Sequence, residues 1–449
     1  MQKQFLMSCL LLAGTVGVSV MTGCGGGSAT TVGASVAADT GSQAQAISVA
    51  KSSQTRNLAP QVSDADMTAA VAGNTSFGLQ MLPLLDPQGD SNLVFSPYSI
   101  SQALAMTAAG AQGDTLTGIQ KALAFQLDPN RLLPAFNKLD LALAGKTISA
   151  GSSNTKLPSL NIANALWAQQ GYKLQTTYLD AIGSNFGAAV NLLDFILSPE
   201  AARTNINTWV ENQTQQRIKN LLPAGSVSPS TRLVLTNAIW FKSEWAVQFI
   251  SGRTVSQNFY DIRNQASSQA FMNQDLRVAY AQGKNYQALE LPYVDNKLAM
   301  LLIKPDAGSF DTFRQSLSVA SLAELTGSLK DQRISLSMPK FSFSSSPQMT
   351  ENLKSLGMSA AFDPARADFS GMTGTRELSV SSVVHKAFIN VDENGTEAAA
   401  ATGVVVGITS ISTDPLVKVV LDRPFLFFIR DRETGLILFM GKVMVPGAV

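Results

Sequence analysis

The chain has 449 residues, of which 45% are hydrophobic and 14% charged, and its net charge is +1. That balance, with no window concentrating Lys and Arg, gives nucleic acid or another polyanion no electrostatic footing. The apolar content suffices for a large core. No composition shift divides the chain after Asp66, so one large domain is expected rather than several.

The beginning reads as an export signal: Lys3, an apolar run from Phe5 to Met21, then Thr22-Gly23-Cys24. Small residues before a cysteine resemble a bacterial lipobox, with residues 1–23 as signal peptide and Cys24 as the lipidated N-terminus. The alternative is an ordinary signal peptide cut elsewhere. Cys9 leaves with the signal, so the mature domain has no disulfide and depends on packing. Gly25 after the cysteine, rather than Asp, resembles lipoproteins sent to the outer membrane. The expected location is therefore the outer membrane, the cell surface or the extracellular space. Each buried acyl methylene contributes about 0.8 kcal/mol to that anchorage. Residues 24–62 are Gly, Ser, Ala, Thr and Gln with little to bury, which reads as a flexible tether of roughly 35 Å root-mean-square span. The domain proper is expected over 63–449.

Helical periodicity is clear at Ser99–Ala109, Thr117–Ala124, Leu132–Leu143 and Ala201–Leu222, where Pro199 suits a first turn. Strand patterns fall at Leu160–Gln169, Arg232–Phe241, Ala288–Leu291, Leu298–Ile303, Ile334–Phe343 and Val380–Val391. Another strand pair begins near Val417. Helices gather in the first half and strands in the second, which argues for α+β rather than βαβ winding.

Glu393-Asn-Gly-Thr-Glu-Ala-Ala-Ala-Ala-Thr402, followed by Gly403-Val-Val-Val-Gly-Ile408, is the most informative stretch. Its four alanines favour helix, but only about one turn of it, too short to stand alone in water. In period two, Thr396, Ala398, Ala400, Thr402, Val404, Val406 and Ile408 share one uncharged face. A segment with such a face has two addresses, one exposed and one inside a sheet. A low-complexity alanine linker is the bland alternative.

Catalytic machinery is absent from the pattern. The single histidine, His385, lies among Val383, Val384, Ala387 and Phe388, where a core histidine is expected rather than a metal ligand or triad member. Asp261 or Asp363 with Glu377 shows no acid/base spacing, and no P-loop, GxSxG or HExxH occurs. Lys340 and Glu393 read by themselves as surface charges.

Several motifs stand in a set order. They begin with Asn92-Leu-Val-Phe-Ser-Pro-Tyr-Ser-Ile100 and Ala108-Ala-Gly-Ala-Gln-Gly-Asp-Thr115. Leu235-Thr-Asn-Ala-Ile-Trp-Phe-Lys-Ser-Glu-Trp245 and Leu289-Glu-Leu-Pro-Tyr293 follow. Then come Met338-Pro-Lys-Phe341, Val384-His-Lys-Ala387, Asp422-Arg-Pro-Phe-Leu-Phe-Phe-Ile429 and Leu438-Phe-Met-Gly-Lys-Val443. In that order, from about Asp66 to Pro446, the chain resembles the serpin family.

The resemblance implies an α+β serpin fold, with helices around a large central antiparallel or mixed sheet, smaller sheets and an exposed reactive-centre loop at about 393–416. It implies a hinge of Glu393, Gly395, Thr396, Glu397, Ala398, Ala399, Ala400, Ala401 and Thr402. Ser96, Ser99, Asn237 and His385 correspond to the shutter, where the central sheet parts. Trp245, Lys340 and Glu393 correspond to the breach, where the loop first enters. The family's usual spacing from the glutamate position puts the scissile bond at Thr409–Ser410 or Ile408–Thr409, with Ile411 and Thr413 still open.

The implied activity is single-use inhibition: a serine protease cuts the loop, and the acyl-enzyme is trapped as the loop enters the sheet. The partner is thus a target serine protease held covalently, and the protein is not itself an enzyme. Residues before the bond suit elastase- or subtilisin-like enzymes, with papain-like cysteine proteases as the alternative. A non-inhibitory carrier serpin and an unrelated surface lipoprotein are the competing classes. No cofactor or metal is implied, and a monomer is expected. Heparin-using members carry a basic helix early in the domain. The matching region here, Leu116–Asp140, has only Lys121, Arg131 and Lys138, so no heparin-type site is expected.

The anchor is testable alone. Cys24→Ala should abolish palmitate labelling and release the domain in soluble form or leave it unprocessed; labelling equal to wild type contradicts the lipobox reading.

Overall fold

A computed structural model describes residues 47–147, 158–397 and 415–447. Cys24, Ala398, Ala399, Ala400, Ala401, Thr402, Ile408, Thr409 and Ser410 lie outside the described residues. So do Ile411 and Thr413.

In chain order, β1 (Ser48–Ala50) precedes α1 (Asp64–Leu84) and β2 (Leu93–Phe95). Three helices follow: α2 (Pro97–Ala108), α3 (Gly113–Ala122) and α4 (Pro129–Ala144). Their starts are written locally. Ser96 accepts from the Ser99 amide ahead of Pro97, and Asp128 accepts from the Asn130 amide ahead of Pro129. Next come β3 (Ser159–Gln169), α5 (Thr176–Phe186), β4 (Val190–Leu193), α6 (Pro199–Gln213) and β5 (Leu233–Glu244).

A meander of β6 (Val255–Tyr260), β7 (Ala266–Gln282), β8 (Tyr286–Pro292) and β9 (Leu298–Pro305) leads to α7 (Phe310–Ser316) and α8 (Val319–Gly327). The remainder carries β10 (Lys330–Pro339), β11 (Phe341–Ser345), β12 (Val380–Val391), β13 (Gly395–Thr396), β14 (Val417–Val420), β15 (Phe425–Asp431) and β16 (Ile437–Val443).

Among the described residues, two sheets result. The first is seven-stranded in the order β1-β4-β3-β5-β13-β12-β11, with β5 and β12 also paired directly. It is mixed: β3–β4 and β5–β12 are parallel and its other pairings antiparallel. The second runs β14-β10-β7-β8-β9-β15-β16-β2, with β6 beside β7. On β5, Leu233, Leu235, Ile239 and Phe241 face the main core. Val234 and Ala238 face the other way, into small clusters with Ala202, Ile206 and Val210 of α6. This period-two split buries both faces of the central strand.

Three expectations are corrected. The helix expected to reach Leu222 ends at Gln213, because Gln215, Gln216 and Asn220 all take positive φ. Ile218 and Leu221 still pack onto Val210, so the apolar spacing outlasts the helix. The strand expected over Ile334–Phe343 is two strands in different sheets, parted at Lys340, whose amide donates to Ala270.

The third correction concerns the tether. Residues 47–62 are docked as a strap rather than free. β1 pairs with β4 at the edge of the large sheet, and Ser52 bonds Asp180 of α5. Arg56 donates to Asn137 at 2.9 Å and Asp140 at 2.7 Å on α4, and Asn137 donates back to the Asn57 carbonyl at 2.7 Å.

Arg56 is mostly buried at its ion pair with Asp140. Arg56→Ala should lower the thermal unfolding midpoint, by an amount corresponding to about 1–3 kcal/mol, since a charged hydrogen bond and the Asn137 contact go together. An unchanged midpoint would mean the strap adds nothing to the fold.

Candidate functional site: a fork in the large sheet

The short strand β13 sits between β5 and β12 at one end of the large sheet only. Gly395 and Thr396 pair with Glu244 and Ser243 of β5, and Thr396 pairs with Val391 of β12. Further along, Leu233–Ile239 of β5 pair directly with Val380–Ala387 of β12. The sheet is therefore forked, with its open end wedged by the hinge. The sequence reading put this whole hinge in the exposed loop; its Gly395 and Thr396 are instead inside the sheet. Thr396 is 1% exposed, and its hydroxyl meets the Tyr293 hydroxyl at 2.7 Å. Gly395 is required by closeness: a Cβ there would lie 2.0 Å from the Ser243 carbonyl oxygen.

At the mouth of the fork stand the expected breach residues. Lys340 and Glu393 are paired at 3.1 Å, and Thr254 donates to the other Glu393 oxygen at 2.7 Å. Burial pushes the Glu393 carboxyl up, but the bonds from Thr254 and Lys340 outweigh it and hold it below its ordinary value. The Trp245 indole donates to the Asp392 carbonyl at 3.0 Å and stacks on Tyr293 at 4.8 Å. The Trp245 amide also bonds the Asn394 carbonyl at 2.9 Å, fixing the turn from β12 into β13. Asp392 adds an Asx turn, accepting from the Asn394 amide at 2.8 Å.

The tip of the fork holds Glu397, where φ is +51° and the chain leaves the sheet. Its amide donates to Asn390 of β12 at 2.8 Å. One carboxylate oxygen is bonded by Arg217, from the turn after α6, at 2.5 Å. The other is buried without a hydrogen-bond partner among the described residues. Burial pushes this carboxyl up to about 7, with Arg217 and Lys242 opposing. Arg217 also lies over the Trp240 ring, 5.9 Å from its centroid.

In the closed part of the sheet lies a row of polar side chains. Asn164 of β3, Asn237 of β5 and His385 of β12 are direct neighbours in register. Nε2 of His385 accepts from the Ser96 amide at 3.2 Å, so Nδ1 carries the proton and donates to Asn237. Asn237 in turn donates to Ser99 and Asn164. The four expected shutter residues are thus in one network. Asn164, which the sequence reading missed, completes it. The signal was an Asn inside the apolar run from Ile162 to Ala168 of β3, opposite the Asn237 register position. The network continues from Asn164 to Gln102 at 3.0 Å, from Gln102 to Asp140 at 3.2 Å, and so to Arg56 of the strap.

Elsewhere, α1, α8 and the second sheet enclose a mainly apolar cavity of about 270 Å³, lined by Val71, Leu322, Leu301, Phe428 and Ile437 among others. Among the described residues no group of three His, Cys, Asp or Glu side chains could hold a metal ion, and no helix is long and apolar enough to cross a membrane.

Comparison with known proteins bears on this geometry. Residues 72–446 match the family model described as Serpin (serine protease inhibitor). An uncharacterized serpin-like protein of Thermococcus kodakarensis is 38% identical over 80% of this chain and 81% of its own length. The leukocyte elastase inhibitor of Xenopus tropicalis is 36% identical over 79% of this chain and 93% of its own. The crystal structure of tengpin, a thermophilic serpin in the native state, superposes with a TM-score of 0.75 at 27% identity, covering 88% of this chain and 97% of that one.

The polar row makes a clean prediction. Burial holds the His385 imidazole down at about 3, far below its free value. Its proton resonances should therefore not titrate between pH 8 and pH 5, and with one histidine in the chain the assignment is unambiguous. Because the folded value is depressed, this stabilisation is complete above the unfolded value of 6.5 and is lost as pH falls towards 3, at up to about 1.4 kcal/mol per pH unit. A His385 resonance with a midpoint near 6.5 would contradict the arrangement.

Proposed function

The chain belongs to the serpin family, and from that premise we propose that it is a single-use inhibitor of serine endopeptidases. The observation that carries this reading is the fork. The hinge has begun an insertion that the uncharged face of the following residues suits it to complete.

Register gives the proposal a definite form. Thr396 stands opposite Ser243 in an antiparallel pairing, so partners along β5 have position numbers summing to 639. Continued to Leu233 at the far end of β5, that register reaches Val406. The core-facing positions would be Ala398, Ala400, Thr402, Val404 and Val406, none charged. Insertion would replace one parallel ladder, β5–β12, by two antiparallel ones and bury apolar side chains besides. Thr402 would fall opposite Asn237, in the polar row, where its hydroxyl could take up the bonds that His385 and Asn237 now make to each other. The scissile positions Ile408–Thr409 and Thr409–Ser410 lie beyond the last paired position, so a cut there would leave the inserted stretch intact. A protease acylated at the cut end would be carried to the far end of the sheet.

Apolar and β-branched residues before the bond favour elastase- or subtilisin-like targets over trypsin-like ones. A relative named as an elastase inhibitor supports the same direction. For location we propose lipidation at Cys24 and display from the outer membrane or cell surface. The strap claims residues 47–62, so these add nothing to the reach of that anchor. A carrier role is the second reading, favoured by the apolar cavity beside α1 and α8.

The experiment is incubation of the protein with pancreatic elastase or subtilisin, read on a denaturing gel. A covalent band at the summed mass is expected. Thr396→Arg should abolish that band and leave clean cleavage, because a charge would replace a buried hydroxyl in the fork at a cost of several kcal/mol. Wild-type protein that is merely cut, with the protease still active, selects the carrier reading.

A further inference from the structure

Among the described hinge residues, Glu397 is the one whose side chain meets Arg217 of the turn after α6, and its surroundings are lopsided. Arg217, itself half exposed, reaches one carboxylate oxygen, while the other is buried with no hydrogen-bond partner among the described residues. On β5 the same face presents Lys242 and, two positions on, Glu244, which accepts from Gln248. From β12 the neighbour is Asn390, whose carbonyl takes the Glu397 amide. Lys386, further down that strand, is committed to the Lys219 carbonyl. An ionised Glu397 is therefore only half satisfied while the hinge is in the fork.

We propose that Glu397 and Arg217 form a proton-governed dock for the hinge, in which a neutral Glu397 keeps Gly395 and Thr396 inside the fork and an ionised one favours their release. A proton on the unpartnered oxygen removes the buried charge. Release instead returns both oxygens to water. Arg217 is the positioning residue that makes the ionised, docked form tolerable at all. The sign follows from linkage. The docked value of about 7 lies above the ordinary 4.5, so docking is fully favoured below 4.5 and declines as pH rises to about 7. Between pH 5 and pH 7.5 the docking constant falls on the order of a hundredfold. In an inhibitor, release lengthens the loop offered to a protease, whereas docking shortens it and starts insertion.

The test reads docking itself and needs no protease, so its failure is distinct from failure of the inhibitor reading. Amide hydrogen exchange of the peptide spanning 392–397 is measured from pH 5 to pH 7.5 on the full chain and corrected for the chemical exchange rate. In wild type, protection should fall on the order of a hundredfold across that range. Glu397→Gln, neutral throughout, should stay protected and flat. Arg217→Gln should be less protected than wild type at pH 7.5. Flat wild-type protection, a Glu397→Gln variant that still titrates, or an Arg217→Gln variant equal to wild type at pH 7.5 would each overturn the dock.

Discussion

The direct pairing of β5 with β12 is the constraint on which the rest of the site depends. It is a parallel contact in the middle of a sheet whose strand neighbours at the open end are antiparallel. Strands 233–239 and 380–387 could each accept a different neighbour if one were supplied, and β13 shows one being supplied at the mouth. Every polar feature of the site lies along this seam. The Lys340–Glu393 pair and Trp245 stand at its mouth, Glu397 at its tip, and Asn237 with His385 across its closed length. A wholly apolar seam would also close, but parting it would expose desolvated surface with nothing to exchange. Hydrogen-bonded side chains can pass from one partner to another.

The seam was legible in the sequence because it is made of strands with strong periodicity and of motifs in fixed order. What escaped had physical reasons. Helix α1 was missed although it is 21 residues long, because its buried face includes Asp66, Gly73, Asn74, Thr75 and Gly78 and so shows no apolar stripe. Its Gly73 and Gly78 lie so close to Ala124 and Met440 that a Cβ would not fit, which trades helix propensity for proximity. β7 escaped because its alternation is broken: Phe271 and Met272 are buried side by side, and Ser267, Ser268, Gln269, Asn273, Gln274, Asp275 and Arg277 leave few apolar positions around them. The hinge was read as exposed because nothing local says that Gly395 and Thr396 are held. That depends on Ser243, Tyr293 and Trp245, over a hundred positions away in chain numbering.

Glu397 and His385 pull in opposite directions, and their separation along the seam gives that opposition a use. His385 is neutral and deep in the closed part; acid works against it, since burial resists its protonation. Glu397 is at the tip, where acid works for docking. Their windows differ as well. Glu397 gives up its preference by about pH 7, whereas the His385 penalty accumulates only below 6.5. Mild acidification from neutrality therefore strengthens the hinge's hold on the mouth before it has cost the closed part much. Strong acidification loosens the closed part and also weakens the Lys340–Glu393 pair at the mouth, whose carboxyl is held below its ordinary value.

The strap ties these events to the edge of the sheet. Arg56, Asp140, Gln102, Asn164, Asn237 and His385 form one hydrogen-bonded line from residues expected to be linker to the strand beside which the proposed insertion would part the sheet. Widening the sheet by a strand moves β3 and β5 away from β12, and the bond that has to yield in that line is the one between Asn237 and His385. Thr402 is the loop residue whose register position meets that gap, and it carries a hydroxyl where its four predecessors are alanines. A hydroxyl can accept from Nδ1 of His385 and donate to Asn237 at once, so the line need not end unsatisfied on either side. An alanine there would leave two buried polar groups facing a methyl, a penalty of about 1–3 kcal/mol for each. The alternation of small apolar residues with one hydroxyl at this position is what a segment needs if its second address is this sheet and no other.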